Sequence, residues 1–339
     1  MSKKLGKQTI QFENLPVVKG FYSVVGEKEG LGNFGDYFDE VLKDDLCGEK
    51  SFEKAERKIF ETAIEGAVNR AKLYDKEIEL LVGGDLLNQI ISSSFSARDL
   101  SIPFLGVYGA CSTMAESLIV GASMIDAGYL NNVACVTGSH FSTAERQYRF
   151  PLELGNQRPP TSQWTITGSG CTILSKTGKG PRIVNATIGK VVDYGVTDVN
   201  NMGACMSPAT ADSFATHFED TKTRPEDYDL ILTGDLGKLG SDIFLDLMEQ
   251  KGYKIGKNYN DCGQMMFDNN QKTFQGGSGA GCSATILNSY VFKKMMKGEI
   301  KKVLFGATGA LLSTLSSQQG ESIPGICHIV QIEMMGDNE

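Results

Sequence analysis

The chain has 339 residues, and its 33 Lys and Arg against 41 Asp and Glu give a net charge of −8. That length is ample for a packed core and favours two domains or one large pseudo-symmetric domain. An acidic balance without a block of Lys or Arg argues against nucleic acid as a partner and against electrostatic binding to anionic lipid.

Helices and strands are predicted to alternate, which favours an α/β fold with largely parallel sheets. Residues 17–50 are rich in Gly and charge, and we expect a loop there. From Ser51, a favourable N-cap, apolar residues recur at helical spacing, and a second helix is predicted from about Cys111 to Ala127. The predicted strands are Ile78–Val82, Phe104–Tyr108, Asn132–Thr137, Gly170–Ser175, Arg182–Val192, Leu230–Thr233, Lys302–Phe305 and His328–Ile332.

Two blocks of sequence recur in the same order. Leu80–Leu86 (LLVGGDL) resembles Leu230–Leu236 (LILTGDL) at an offset of 150 residues. At an offset of 171 residues, a Cys-Ser pair, a helix and a small-residue strand also recur, as Cys111 to Gly138 and Cys282 to Gly309. Such offsets are too long for a solenoid repeat and indicate a duplicated α/β unit. We predict two similar halves, residues 1–180 and 181–339.

The histidine and cysteine content restricts which metal sites and which catalytic mechanisms the chain can support. Only three histidines occur, which restricts metal sites and His-dependent catalysis. The eight cysteines show no C-x-x-C spacing, so we expect free thiols and no zinc site. The N-terminus lacks an apolar signal-peptide core, and the longest uncharged stretch, Thr273–Phe292, is too polar for a membrane span. We therefore expect a soluble protein on the cytoplasmic side, with no signal peptide or transmembrane helix.

The sharpest candidate site is Gly109–Thr113 (GACST), where Cys111 lies between a predicted strand and a predicted helix. A thiol at a helix N-terminus meets unpaired amide groups and the positive end of the helix dipole, and both favour the thiolate. The same amides can hold an oxyanion or a carboxylate. The alternative is that Cys111 is a small buried apolar residue. The local pattern leaves both alternatives open.

A strand, Gly-Ala-Cys-Ser and a small-residue helix in a duplicated chain resemble the thiolase-like superfamily, from about residue 51 onward. The resemblance implies a five-layer αβαβα fold with two pseudo-symmetric halves, and it places Cys111 at the nucleophile position. The condensing enzymes of that superfamily pair this Cys with two His, or with His and Asn. At those places this sequence has Thr233, Gly234 and Asp235, and the Asn-free Gly276–Cys282. Without an imidazole the condensation lacks its acid–base partner, so we expect a binding protein rather than an enzyme.

Several longer strings resemble one family more closely. They are Gly6–Thr9 (GKQT), Phe12–Asn14 (FEN), Ala55–Lys58 (AERK), Gly84–Gln89 (GDLLNQ), Gly109–Thr113 (GACST), Ala144–Gln147 (AERQ), Gly234–Gly237 (GDLG) and Ala307–Ser313 (ATGALLS). Together they resemble the stage V sporulation protein AD family of spore-forming bacteria, essentially end to end. The resemblance implies a protein that binds dipicolinic acid (pyridine-2,6-dicarboxylate) and supports its uptake into the developing spore. It also implies a homodimer that works with membrane proteins of the same operon and associates peripherally with the forespore inner membrane.

The resemblance implies no cofactor, and calcium stays open as a companion of the ligand. The alternative function is an acyltransferase or β-ketoacyl-synthase-like enzyme with Cys111 as its nucleophile. A third alternative is a scaffold for the membrane partners.

A flat dianion such as dipicolinate requires positive potential, hydrogen-bond donors and an apolar slot. The segment after the predicted strand Asn132–Thr137 carries hydroxyl, imidazole and guanidinium groups, at the same end of the sheet as the Cys turn. The predicted ligand-binding residues are Cys111, Ser139, His140, Arg146 and Arg149, with no metal ligand and no catalytic residue. For the two arginines the alternative is a solvated helix face that pairs with nearby glutamates. For His140 the alternative is a structural hydrogen bond.

Four other features have structural explanations. Asp85 and Asp235, which the repeat relates, are expected to cap helices rather than to reach a pocket. The glycines of Gly276–Gly281 either cradle a phosphate or permit close backbone approach between the halves. We expect Trp164 to serve packing. His328 follows Cys327 among strand-like residues, and a structural place is favoured for it.

Overall fold

Strands and helices alternate along the chain. The computed structural model describes residues 3–148 and 157–335. Its strands are β1 (Lys3–Leu5), β2 (Thr9–Gln11), β3 (Val17–Val25), β4 (Glu40–Val41), β5 (Leu80–Gly84), β6 (Phe104–Gly106), β7 (Asn132–Ser139), β8 (Trp164–Thr165), β9 (Gly168–Ser175), β10 (Arg182–Thr187), β11 (Leu230–Thr233), β12 (Tyr259–Asp261), β13 (Gly277–Ser278), β14 (Lys302–Ala310) and β15 (Gly325–Glu333). Its helices are α1 (Glu27–Gly30), α2 (Phe52–Arg70), α3 (Ile91–Leu100), α4 (Thr113–Asp126), α5 (Phe141–Tyr148), α6 (Met202–Thr221), α7 (Gly237–Gln250), α8 (Cys262–Met266), α9 (Ala280–Ile286), α10 (Phe292–Met296) and α11 (Thr314–Gln318).

Two groups of five strands share one order and one pattern of directions. The first group runs β3-β9-β7-β5-β6, and the second runs β10-β15-β14-β11-β12. In each group the first two pairings are antiparallel and the last two are parallel. The halves are therefore pseudo-symmetric. The predicted division at residue 180 falls in the connection between β9 and β10.

The expectation of largely parallel sheets is wrong at β9 and β15. Each of these strands runs antiparallel to both of its neighbours in its group. A parallel neighbour requires a crossover that returns to the starting end of the sheet. The connection from β14 to β15 contains only the short helix α11, so the chain turns back at the end where β14 finishes.

Three hydrophobic clusters separate five layers. One joins α2 and α3 to the first sheet group, with Phe60 and Ala97 in the cluster. Another joins α6 and α7 to the second group, with Phe214 and Phe244. The third lies between the two sheet groups and contains residues of α4 and α9, such as Leu118. The layers follow as helix, sheet, helix, sheet, helix, which is the arrangement expected from the sequence.

The predicted loop over residues 17–50 is wrong at its start, where β3 crosses the molecule between β9 and β10. Val17, Val24 and Val25 in this strand are fully buried. A Cβ atom at Gly20 would lie 2.5 Å from the carbonyl oxygen of Ala67 in α2. The glycine that suggested a loop is therefore the place where a helix packs closely on a strand.

Helix α2 begins where the sequence predicts. The Ser51 hydroxyl accepts a hydrogen bond from the Lys54 backbone N–H at 3.4 Å, as an N-cap does. The buried face of α2 carries Ile59, Phe60 and Ile64 at helical spacing. None of the helices in the described part of the chain is both long enough and apolar enough to span a bilayer.

Candidate functional site

Cys111 lies at a sharp turn between β6 and α4. The turn is a short 3₁₀ helix, Ala110–Ser112, and Ala110 has a φ of +51°, which non-glycine residues rarely adopt. Thr113 closes the turn, because its Oγ1 donates to the Ala110 carbonyl oxygen at 2.7 Å and accepts the Gly109 N–H at 3.1 Å. The predicted strand–turn–helix at Cys111 is confirmed.

A cavity that is partly open to solvent lies beside Cys111. Most of its lining is apolar, and its polar side chains are phenols, hydroxyls and the thiol. No Lys, Arg or His lines it within residues 3–148 and 157–335. Its lining residues are Leu86, Tyr108, Ala110, Cys111, Ala144, Tyr148, Thr165, Met202, Met206, Ser278, Gly279, Ala310 and Leu312.

Asp235, in the turn after β11, is buried and binds the residues around Cys111. Its Oδ2 accepts from the Ser278 hydroxyl and the Gly279 N–H, each at 2.9 Å. Its Oδ1 accepts from the Thr308 hydroxyl at 2.7 Å. The Cys111 thiol lies close enough to this carboxyl group for Asp235 to raise the pKa of the thiol. A carboxyl group from the second half thus accepts hydrogen bonds from Ser278, Gly279 and Thr308 next to the nucleophile position of the first half.

The expected capping role is confirmed for Asp85 and wrong for Asp235. Asp85 accepts from the Ser93 N–H at 2.8 Å, in the first turn of α3. The start of α7 is held instead by Asp261, which accepts from the N–H groups of Leu236 and Gly237 at 2.9 Å. Asp261 performs the capping, and Asp235 remains directed toward Cys111.

The surroundings of Cys111 disfavour a thiolate. Burial raises the pKa of the Cys111 thiol well above its usual range, and the adjacent Asp235 raises it further. Burial also raises the pKa of Asp235, although hydrogen bonds from Thr308 and Cys111 oppose that change. The start of α4 on its own would favour the thiolate. Burial and the neighbouring acid outweigh it, so Cys111 is held as a protonated thiol beside Asp235.

Ser139 and His140 are both fully buried. The Ser139 hydroxyl donates to the Ile166 carbonyl oxygen at 2.8 Å and accepts the Gly281 N–H at 3.2 Å. His140 Nε2 lies 2.7 Å from the Asp45 carbonyl oxygen, and its Nδ1 accepts the Ser142 N–H at 3.1 Å. Burial lowers the pKa of His140, which favours a neutral ring that donates from Nε2. Neither residue lines the cavity.

Arg146, one of the two predicted arginines, does not line the cavity beside Cys111. Arg146 pairs with Glu53 of α2 and lines a separate cavity together with Thr143. Arg149 lies outside the described residues. Of the four predicted ligand-binding residues that the structure describes, Cys111 lines the cavity, and Ser139, His140 and Arg146 do not.

A family model described as Stage V sporulation protein AD (SpoVAD) matches residues 6–333 of the chain. The Stage V sporulation protein AD of Bacillus subtilis (strain 168) is 43% identical over 334 residues, covering 98% of this chain and 99% of that relative. The chain belongs to the stage V sporulation protein AD family. The family predicted from the short strings is confirmed.

Two solved structures share the fold. The 3-oxoacyl-[acyl-carrier-protein] synthase III of Aquifex aeolicus VF5 aligns with a TM-score of 0.59 and 12% identity, over 94% of this chain and 99% of that chain. A variant of OleA from Xanthomonas campestris aligns with a TM-score of 0.62 and 12% identity, over 95% of this chain and 99% of that chain. At such low identity the likeness concerns the fold, and the predicted thiolase-like fold is confirmed.

Sequence reasoning missed the two tyrosines and the role of the glycine-rich loop. Tyr108 precedes Cys111 by three residues, so its nearness to the site could have been inferred from the turn. Ser278 and Gly279 reach the site because the loop backbone lies tight against the first half. A Cβ atom at Gly281 would lie 2.4 Å from the Gly168 carbonyl oxygen. Close approach between the halves, one of the two alternatives for this loop, is confirmed.

The remaining features have structural roles. Trp164 stacks on Phe141 with ring centroids 3.9 Å apart, as packing requires. His328 Nδ1 accepts the Gly189 N–H at 3.2 Å, and neither it nor Cys327 lines the cavity. Across the described part of the chain, no three His, Cys, Asp or Glu side chains are grouped to hold a metal ion.

Proposed function

We propose that this member of the stage V sporulation protein AD family binds dipicolinic acid in the Cys111 cavity and supports its uptake into the developing spore. The observation that carries the proposal is the cavity itself. It is partly open to solvent, and its apolar wall carries phenol and hydroxyl groups from Tyr108, Tyr148 and Ser278. An apolar slot with a few polar groups suits a flat aromatic acid.

The protein acts without condensing chemistry. Claisen condensation requires an activated nucleophile and an acid–base partner. Burial and the neighbouring Asp235 raise the pKa of the Cys111 thiol, which keeps it protonated. No imidazole lies among the described residues that line the cavity. Both observations support binding rather than catalysis.

The protein works at the cytoplasmic face of the forespore membrane, in peripheral association with membrane proteins of the same operon. Membership of the sporulation family supports this assignment. In this role, the protein presents the captured acid to its membrane partners.

Calorimetric titration with dipicolinate, with and without calcium, tests the binding. We expect measurable heat and a loss of affinity in Ala144→Leu, because the larger side chain fills the cavity that Ala144 lines. Ala127→Leu is the matched control, since Ala127 is exposed at the end of α4. No heat at millimolar ligand, or equal affinity in both variants, would contradict binding in this cavity.

One observation favours a second candidate function, acyl transfer by Cys111. The left-handed Ala110 presents Cys111 at the start of α4, a placement that suits a nucleophile. The intact-mass experiment described for Cys111 in the Discussion separates this candidate from the binding function.

A further inference from the structure

The two tyrosines of the cavity wall have no proton left for a ligand. The Tyr148 hydroxyl donates to the Leu86 carbonyl oxygen. A phenol has one proton, so Tyr148 Oη must accept in its 2.9 Å contact with Tyr108 Oη, and Tyr108 must donate. Tyr108 Oη therefore keeps acceptor lone pairs and no free proton.

At the opposite end of the cavity, the Ser278 hydroxyl also uses its proton in a bond to another protein group. The Ser278 hydroxyl donates to Asp235 at 2.9 Å, and the Cys111 thiol lies beside the same carboxyl group. Among the described lining side chains, the Thr165 hydroxyl is the donor that no protein acceptor engages. The polar side chains of the wall thus offer mainly acceptors, and a ligand needs donors of its own to complement them.

The charged and titratable groups around this end are acids. Asp235 interacts electrostatically with four neighbouring titratable groups. They are Cys111 before α4, Asp261 at the end of β12, Cys262 of α8 and Cys282 of α9. From β15, Cys327 also lies within electrostatic reach of it. No Lys, Arg or His lines the cavity in the described ranges. A second carboxylate beside Asp235 would be repelled at short range, where burial leaves little solvent screening.

We propose that the cavity binds its aromatic acid together with a proton, so that at least one carboxyl group of the ligand is neutral in the complex. The inference rests on the proposed function and specifies the form of ligand that the same site takes. The proton comes from solvent and stays on the ligand carboxyl group. That O–H then donates to an acceptor in the wall, and Tyr108 Oη is the acceptor with no proton of its own to offer.

Titration calorimetry in metal-free buffers of different ionisation enthalpy counts the protons. At neutral pH we expect about one proton taken up per dipicolinate bound, and an affinity that falls about tenfold per pH unit as the pH rises. Measurable binding with no proton uptake overturns this proposal and leaves the proposed function standing. No heat in any buffer overturns the proposed function, and this proposal with it. Binding that requires added calcium and takes up no proton also overturns it, because the metal then neutralises the ligand.

Two variants distinguish this role from a merely structural one. Asp235→Asn removes the carboxylate charge, so we expect the proton count to fall toward zero and the affinity to lose its pH dependence. Asp85→Asn, at the repeat-related position, should keep the wild-type proton count. An unchanged count in Asp235→Asn overturns the proposal.

Tyr108→Phe removes the proposed acceptor without removing the ring. We expect about tenfold weaker binding, since the ligand O–H is then buried without a partner. Tyr129→Phe is the matched control, because Tyr129 is 76% exposed. Tyr108→Phe also keeps the test open if Asp235→Asn fails to fold. Equal affinity in the two tyrosine variants, with both melting at the wild-type temperature, overturns the assigned acceptor.

Discussion

The contact between Cys111 and Asp235 decides which chemistry this site supports. A thiol at a left-handed turn before a helix has the placement of a nucleophile. The buried carboxyl group beside it raises the pKa of the thiol and so lowers its reactivity, because a thiolate would face a second negative charge. The same turn can therefore serve catalysis or binding, depending on the partner that the second half supplies.

We expect Cys111 to stay unmodified in the presence of acyl-coenzyme A at neutral pH. Its raised pKa leaves little thiolate, and no described lining residue can act as a base for it. Intact mass spectrometry after incubation measures the outcome, and Cys47→Ser removes the other partly exposed thiol. A stable acyl adduct that is lost in Cys111→Ser would contradict the binding function and support acyl transfer.

At the scale of elements, local patterns were sufficient where contacts are local. The Ser51 cap, the buried face of α2 and the strand Leu230–Thr233 follow from neighbours in sequence. The antiparallel course of β9 and β15 depends on where long connections end, which no local pattern records. β3 was missed because Gly20 serves a helix that packs on it from residues far along the chain.

The same limit applies to the site. Cys111 was found because a small-residue turn before a helix is a local signal. The contribution of Tyr148 depends on how α5 packs beside Cys111, and that of Asp235 depends on how the two halves meet. Arg146 was predicted from chemistry alone, and its ion pair with Glu53 becomes apparent only when α2 and α5 are packed together.

One carboxylate joins three elements, and its loss should weaken the fold. The Asp39 side chain is 2% exposed and accepts from Arg70 of α2 at 2.8 Å and from Lys293 of α10. It also accepts the Ser23 N–H of β3 at 3.0 Å. We expect Asp39→Ala to cost about 1–3 kcal/mol of unfolding free energy, because the buried Ser23 N–H and two cationic side chains lose their common partner.

Urea denaturation of the Asp39→Ala protein measures that cost. Asp36→Ala is the control, since Asp36 is exposed in the neighbouring turn. An unfolding free energy equal to that of the control would contradict the structural role of Asp39.

At the scale of the whole molecule, we propose that two copies associate through the edge strand β6. This strand pairs with β5 on one side, and it is the outer strand of its group. Its Leu105 is 41% exposed, and Ile91 and Phe95 of α3 are also exposed apolar residues. An uncovered edge strand with apolar neighbours is a template for pairing with another chain.

Light scattering coupled to size exclusion tests this association. We expect the wild-type protein to elute as a dimer and Leu105→Lys to shift it toward the monomer, because a buried lysine opposes strand pairing. Leu31→Lys, at a residue that is 72% exposed, should leave the dimer intact. A monomeric wild-type protein, or a dimer that survives Leu105→Lys, would contradict the proposed interface.

The walls of the cavity come from both halves of the duplicated chain. Cys111 and Tyr148 belong to the first half, and Ser278 and Ala310 belong to the second. A molecule bound there contacts both halves, so its binding stabilises their association rather than either half by itself. Neither half on its own supplies the complete wall of this cavity.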